Sequence, residues 1–453
     1  MAKKERINFS KIGAIAAATG SAVGLGNIWR FPYLLGESGG GAFLLVYILC
    51  VVFLGLPVMI SEFSIGRMAQ ANAAGSFRTL APKSKWWLVG LMGVISAFLI
   101  LGFYVVVSGW TLEYIVQALS NKFANASTAQ LNQVFTDFST NTYRPVGWML
   151  LFTALTCFII IAGVKNGIEK STKLMMPLLF LIIIILGIRS ITLPTGTEGL
   201  KFLFKADFGK IDSEVILNAM GQAFFSLSLG MGCLITYGSY INKDNNLSST
   251  ALQVTIFDTL VAVLASIAIF PAVFSFGINP AQGPELVFIT LPNIFSRLHG
   301  GYIWAVMFFV LLALASLTST ISLLEVIVAF LTEELHISRA KAAIVSSLGI
   351  ALLGILSSFS LGIWKDFSLF GYGFFALFDS ITSKILMPVG GIFISLFVGW
   401  RIDKQKILLE LSSNGKYKIP FLNIFLLITR YLAPLAILLV LLNQLGLTKW
   451  LGF

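Results

Sequence analysis

The sequence predicts an all-α membrane protein of eleven transmembrane helices, ten of them forming a five-plus-five inverted repeat, with helices 1 and 6 broken. Three observations lead to it. Of 453 residues, 57% are apolar and 11% charged, with a mean hydropathy of +0.90, far from the roughly 25% charge of a soluble domain. Apolar stretches near the roughly 20 residues that carry a helix across about 30 Å of hydrocarbon recur along the chain. Two of these stretches, five spans apart, are interrupted by glycines.

Residues 1–11 are charged, and the apolar run behind MAKKERINF lacks a signal-peptide cleavage site, so 12–35 is read as a retained first helix. Its middle is GSAVGLG. Spans follow at 42–65, which stops before Arg67; at 87–118, which contains FLILGFYVVVSGW; at 146–163, after Arg144; and at 168–189, which opens on Lys170 and Lys173. These form a first repeat over 12–189. A loop, 190–213, leads to a second repeat over 214–399, with spans at 214–240, 251–277, 301–331, 341–358 and 374–399. The first of these has SLSLGMG at its centre. The remaining region, 400–453, holds an eleventh span at 421–445.

Charge selects the orientation. With the N-terminus inside, the inner regions collect Lys3, Lys4, Arg6, Lys11, Arg67, Arg78, Lys83 and Lys85 around the first crossings. They also collect Lys165, Lys170, Lys173, Lys243, Arg339 and Lys341, then Arg401, Lys404, Lys406, Lys416 and Lys418. The outer regions hold fewer cations, so the N-terminus is expected to be cytoplasmic and the protein to sit in the plasma, or inner, membrane. The net charge of +11 is thereby carried on loops between apolar spans, which argues for a lipid bilayer and against nucleic acid as the partner. Cys50, Cys157 and Cys233 lie in apolar runs and His299 and His336 stand apart, so no disulfide framework or metal cluster follows.

GSAVGLGNIWRFP, residues 20–32, and SLSLGMG, residues 226–232, hold the chemistry. Either glycine segment alone also fits close helix packing. Together, in corresponding positions of successive halves, they point to a central binding site between inverted repeats. An unwound helix inside the bilayer leaves carbonyls and amides without partners, which is tolerated only beside a cavity or ligand. Bare carbonyls with hydroxyls suit sodium, and amides at a half-helix N-terminus suit a carboxylate. Asp258, alone in ALQVTIFDTLVAVLASIAIFP, adds a carboxylate where charge is expensive and usually functional; snorkelling toward the cytoplasmic end is the rival reading.

GSAVGLGNIWRFPYLLGESGGGAF (20–43), GQAFFSLSLGMGCLITYGSY (221–240) and LTSTISLLE (317–325) resemble the first, sixth and eighth helix signatures of the sodium-coupled neurotransmitter and amino-acid symporters. The likeness runs across nearly the whole chain, and eleven spans resemble a bacterial group that lacks the usual twelfth. The resemblance implies one sodium held by the carbonyl of Ala22, the side chain of Asn27, Ser226 and Asp258. It implies a second held by the carbonyls of Gly20, Val23 and Ala315 with the hydroxyls of Thr318 and Ser319; by themselves those hydroxyls also fit bonding back to their own helix. Asp258, beside Tyr47, Gln222 and Ser226, resembles the bacterial replacement of a chloride ion by a protein carboxylate, so chloride is not expected to be required.

By the same resemblance the cargo pocket is lined by Ser21, Ala22, Ile100, Tyr104, Phe225, Ser226, Ser228, Met231, Ser319 and Leu323. Tyr104 would donate its hydroxyl to the cargo carboxylate, although the residue alone also fits ordinary packing. No acidic residue is placed to hold the cargo's ammonium, unlike the family's monoamine carriers, which favours a free neutral amino acid. Met231 departs from the family's aromatic residue; a flexible thioether admits hydrophobic cargo from aliphatic to aromatic. Arg30 and Asp379, in FALFDSITSKILMP, resemble the outer gate, with a static clamp as the alternative and Asp366 as a second candidate partner. Glu333 resembles the inner acidic partner of an N-terminal arginine, here Arg6; ERINF departs from the family's arginine-tryptophan arrangement, with Phe9 in the aromatic place.

The implied function is sodium-driven import by alternating access. A channel would need a continuous polar path, whereas Phe225, Tyr104 and leucines cap this pocket. An enzyme is not expected: there is no HExxH, neither histidine has a catalytic context, and no strand precedes GLGNIW to make it a dinucleotide fingerprint. A non-transporting amino-acid sensor of the same fold would keep every binding residue, and an uptake assay separates the two.

Overall fold

A computed structural model describes residues 7–124, 126–278 and 287–447. Ser10 opens α1 (Lys11–Ala22), its hydroxyl accepting from the Gly13 N–H at 3.0 Å, and α2 (Gly26–Glu37) continues it after a bend of 51°. Then come α3 (Gly41–Ala69), α4 (Ala73–Leu80), α5 (Trp87–Leu119), α6 (Thr128–Ser139), α7 (Arg144–Ile161), α8 (Val164–Ile191) and α9 (Gly196–Phe204). The second half runs through α10 (Ser213–Ser226), α11 (Cys233–Gly238), α12 (Leu247–Ser275), α13 (Thr290–Ser296), α14 (Gly301–Glu334), α15 (Arg339–Phe359), α16 (Phe374–Arg401), α17 (Lys404–Leu411) and α18 (Leu422–Gln444).

Among the described residues nine helices are long and apolar enough to cross a bilayer, and the bent α1–α2 pair makes ten. This is a multi-pass membrane fold. α3, α8 and α15 run past their expected bounds at both ends, because a helix keeps its own backbone bonds as it leaves the hydrocarbon, while α7 and α12 stop sooner than expected, at Ile161 and Ser275. The short helices between spans were not anticipated. Two of them open on capping side chains: Asn72 caps α4 through the Gly75 N–H, and Ser127 with Gln130 forms a capping box at α6.

The packing centres on the first helix. α5 and α14, of 33 and 34 residues, lie against each other. α1 is wedged against α8, α12 and α14, so its interruption at 23–25 falls in the middle of the molecule. Between α10 and α11, residues 227–232 leave the helix, with Ser228, Gly230 and Gly232 at φ of 54°, 77° and 76°. Gly230 is needed twice over, since that φ disfavours a side chain and a Cβ there would lie 2.4 Å from the Met387 carbonyl oxygen.

Candidate functional site

The two interruptions face each other, and α2, α3, α5, α10, α12 and α14 each bring polar side chains to the space around them. Asp258, on α12, is fully buried. Its carboxylate accepts from the Asn27 amide nitrogen at 2.7 Å, from the Ser226 hydroxyl at 2.9 Å and from the Tyr47 hydroxyl at 3.5 Å. Asn27 also donates to Ser226 Oγ at 2.9 Å, while its amide oxygen accepts from the Gly24 N–H at 3.0 Å. The amide nitrogen is thus the positive partner of the carboxylate. A cation bound here needs the oxygen on that side, which a half-turn of the planar amide provides at little change in shape. Ala22 ends α1 beside this group. Gln222 lies one turn before Ser226 and donates to the Gly26 carbonyl at 2.9 Å, its own amide oxygen buried without a partner among the described residues.

A second oxygen cluster forms where α1 ends against α14. The Thr318 hydroxyl bonds back to Ala315 at 2.9 Å and Leu314 at 3.3 Å, and also reaches the Val23 carbonyl at 3.4 Å. Ser319 reaches the same carbonyl at 3.3 Å. Bonding within the helix and contact across to α1 therefore coexist. Gly20 lies against Thr318, where a Cβ would come within 3.2 Å of the threonine Cβ.

Between the clusters, the Tyr104 hydroxyl of α5 accepts from the Leu25 N–H at 3.1 Å, at the start of the second half-helix. Gly24 makes this convergence possible: a Cβ would stand 2.4 Å from Ser319 Oγ and 2.9 Å from the Tyr104 oxygen. Ser228 Oγ donates to the Ser21 carbonyl at 2.8 Å, joining the two interruptions directly. Ile100, Met231 and Leu323 are buried around them at 2%, 4% and 4% exposure. Phe225 is half-buried above and shares with Tyr104, Trp29, Arg30 and Asp379 the lining of a cavity of about 250 Å³.

Arg30 and Asp379 face this cavity without forming an ion pair with each other among the described residues. The guanidinium instead lies 4.5 Å over the Phe225 ring, and Ser383 bonds the Asp379 carbonyl at 2.7 Å. On the opposite side Arg6 falls outside the described residues. Glu333 accepts from the Asn72 backbone at 2.7 Å, and Phe9 sits edge-on to Tyr237 and Tyr240 at 5.7 and 5.5 Å.

The model of the sodium:neurotransmitter symporter family matches residues 6–145 and 138–451. The chain belongs to that family. It is 42% identical over 441 residues to a sodium-dependent transporter, YhdH, of Bacillus subtilis (strain 168), covering 97% of this chain and 98% of that one. It is 38% identical over 447 residues to a sodium-dependent transporter of Haemophilus influenzae, covering 96% and 97%. The crystal structure of MhsT in complex with L-phenylalanine superimposes with a TM-score of 0.89 at 45% identity, covering 97% of this chain and 100% of that one. The protein is thus a sodium-coupled symporter and not an enzyme.

Two polar groups in this symporter escaped the sequence reading. Glu62, fully buried in α3, accepts from the Gly230 N–H at 2.7 Å, while its other oxygen has no partner among the described residues. Its signal was present in PVMISEFSIG, a carboxylate in an apolar span like Asp258. Glu325, also fully buried, accepts from both Arg339 nitrogens at 3.0 and 2.5 Å and from the Tyr240 hydroxyl at 2.7 Å. It ends the stretch LTSTISLLE, a carboxylate in an apolar span behind a run of hydroxyls.

Proposed function

We propose that this symporter imports a neutral, hydrophobic or aromatic L-amino acid with two sodium ions, by alternating access and without chloride. The observation that carries it is the convergence of the two helix interruptions: Asn27, Ser226 and Asp258 on one side, and Val23, Thr318 and Ser319 on the other, flank the N–H groups that open α2. Oxygen clusters suit sodium, and the half-helix N-terminus capped by Tyr104 suits the cargo carboxylate, which would take the N–H that the phenol now accepts. MhsT, so similar over its whole length, was solved with L-phenylalanine. That supports an aromatic-sized cargo.

In this reading α10 and α11 together make a broken sixth crossing, which brings the count to eleven. Residues 12–189 and 214–399 are the two repeats, and the cation-rich face bearing Phe9 is cytoplasmic in the plasma, or inner, membrane. Arg30 and Asp379 form the outer gate, here parted, and Glu333 with Arg6 belongs to the inner one. A potential of roughly 100 mV supplies about 2.3 kcal/mol per inward charge and a tenfold gradient about 1.4, so two sodium ions provide on the order of 7 kcal/mol for a neutral cargo.

Uptake of phenylalanine into vesicles is expected to require an inward sodium gradient and to persist when gluconate replaces chloride. Full uptake driven by a proton gradient with sodium absent on both sides would refute the coupling. Binding without uptake would favour a sensor. A second expectation concerns cargo size. Met231, 4% exposed, lies in the non-helical stretch beside Gly93. Met231→Phe puts a rigid ring where a thioether yields, and is expected to penalise tryptophan and tyrosine more than leucine by about 1 to 3 kcal/mol. Competition binding reads the difference; equal losses for all three would place Met231 away from the cargo side chain.

A further inference from the structure

The segment joining α16 to α18 has an outward face that neither the cargo site nor the gates use. α17 buries Ile407 and Leu411 inward, yet Leu408 and Leu409 are 41% and 53% exposed, so this short helix is apolar on its outer side as well. Arg401, Lys404, Lys406, Lys416 and Lys418 are all exposed around it, and none is paired with a carboxylate among the described residues. Its two acidic groups are occupied elsewhere. Asp403 caps the helix through the Gln405 N–H at 2.7 Å, and Glu410 is bound by Arg67 through both its carboxylate and its carbonyl.

The level of this surface in the bilayer is marked by neighbouring rings. Trp400, 60% exposed, is the next-to-last residue of α16 and meets Tyr431, nine residues past the start of α18, edge-on at 5.4 Å. An exposed tryptophan at the end of a span belongs at the boundary between headgroups and hydrocarbon. α17 starts three residues beyond Arg401, so exposed Leu408 and Leu409 share one short segment past the end of the span with exposed Lys404 and Lys406. A cluster of cations beside a span, interleaved with apolar side chains, attracts an anionic membrane surface.

We infer that α17 and the loop after it form a binding surface for anionic phospholipid headgroups. The surface is tied to the transport core. Arg67, 1% exposed on α3, links Glu410 to the Asn245 carbonyl at 2.7 Å, and Ser413 donates to that same carbonyl at 3.0 Å. Asn245 lies in the turn between α11 and α12, so lipid held at α17 steadies the connection between the broken sixth segment and the helix that carries Asp258.

The test compares the full-length protein with a variant in which Lys404, Lys406, Lys416 and Lys418 are all changed to Gln. Native mass spectrometry after extraction from membranes of mixed phosphatidylcholine and phosphatidylglycerol reads retained lipid. Wild type is expected to keep phosphatidylglycerol and the variant to keep about tenfold less. In vesicles, wild-type uptake is expected to rise when phosphatidylglycerol is added to phosphatidylcholine, while the variant matches wild type in phosphatidylcholine alone and gains nothing from the anionic lipid. A Leu408→Asn/Leu409→Asn variant, with every charge kept, is expected to lose retention too. Equal retention by wild type and the lysine variant overturns the inference, as does a variant whose uptake falls equally in both lipids. Retention requires no cargo, so its outcome stands apart from the identity of the amino acid.

Discussion

Asp258→Asn is expected to weaken sodium in uptake by about 2 kcal/mol, roughly thirtyfold in apparent affinity, by the usual strength of a charged hydrogen-bonding partner. The substitution isolates charge from shape. Asparagine keeps one oxygen for the Asn27 amide, 2.7 Å away, and its new amide nitrogen has Ser226 Oγ and the Tyr47 oxygen as acceptors where the carboxylate had donors. The hydroxyls rotate to suit, so folded yield is expected to hold. What is lost is the negative charge beside the proposed ion. Sodium titrations of phenylalanine uptake, in chloride and in gluconate, measure it. If Asp258 stands in for an anion, chloride partly restores the variant and does nothing for wild type. Unchanged sodium affinity in both anions would remove Asp258 from the ion site.

Arg30→Ala is expected to cut uptake at least tenfold while changing equilibrium cargo binding by no more than about threefold, because the contacts that hold cargo and the step that closes over it use different groups. In the structure the guanidinium rests 4.5 Å over Phe225 and faces Asp379 across a cavity of about 250 Å³. Removing it forfeits a cation–π contact of about 0.5 to 2 kcal/mol. It leaves Tyr104 on Leu25 and Ser228 on Ser21 untouched. A clamp behaves otherwise, lowering folded yield and binding together. The deciding pair of measurements is sodium-dependent binding in detergent and uptake in vesicles, for Arg30→Ala and for Asp379→Asn. Wild-type uptake by well-folded Arg30→Ala would dismiss the gate, and an effect of Asp366→Asn without one at Asp379 would move the partner.

Asp258 was legible because one carboxylate in an apolar helix carries a cost that sequence alone reveals. The same cost applies to Glu62 and Glu325, both fully buried, but their partners are remote in sequence. Glu62 gains its meaning from the Gly230 N–H, 168 residues away in sequence. Glu325 gains its own from Arg339, at the start of α15, and from Tyr240, just past the end of α11. The resemblance groups Asn27 with Ser226 and Asp258, and its amide bonds to both; which end of that amide faces Asp258 follows from a donor, the Gly24 N–H, that exists only because α1 stops there.

The apolar spans and the two glycine-bearing stretches, after Ala22 and at 227–232, where the chain leaves the helix were determined by the sequence itself. They follow from local rules: hydrocarbon about 30 Å thick, no water to satisfy a free amide, and glycine where the backbone must turn. Only the tertiary structure decided which oxygen atoms converge at the two interruptions, that Arg30 rests on Phe225 rather than on Asp379, and that Arg67 reaches Glu410 and the turn after α11. These depend on how long helices pack across one another, where a shift of one helical turn exchanges one partner for another and no local pattern in the chain records the choice.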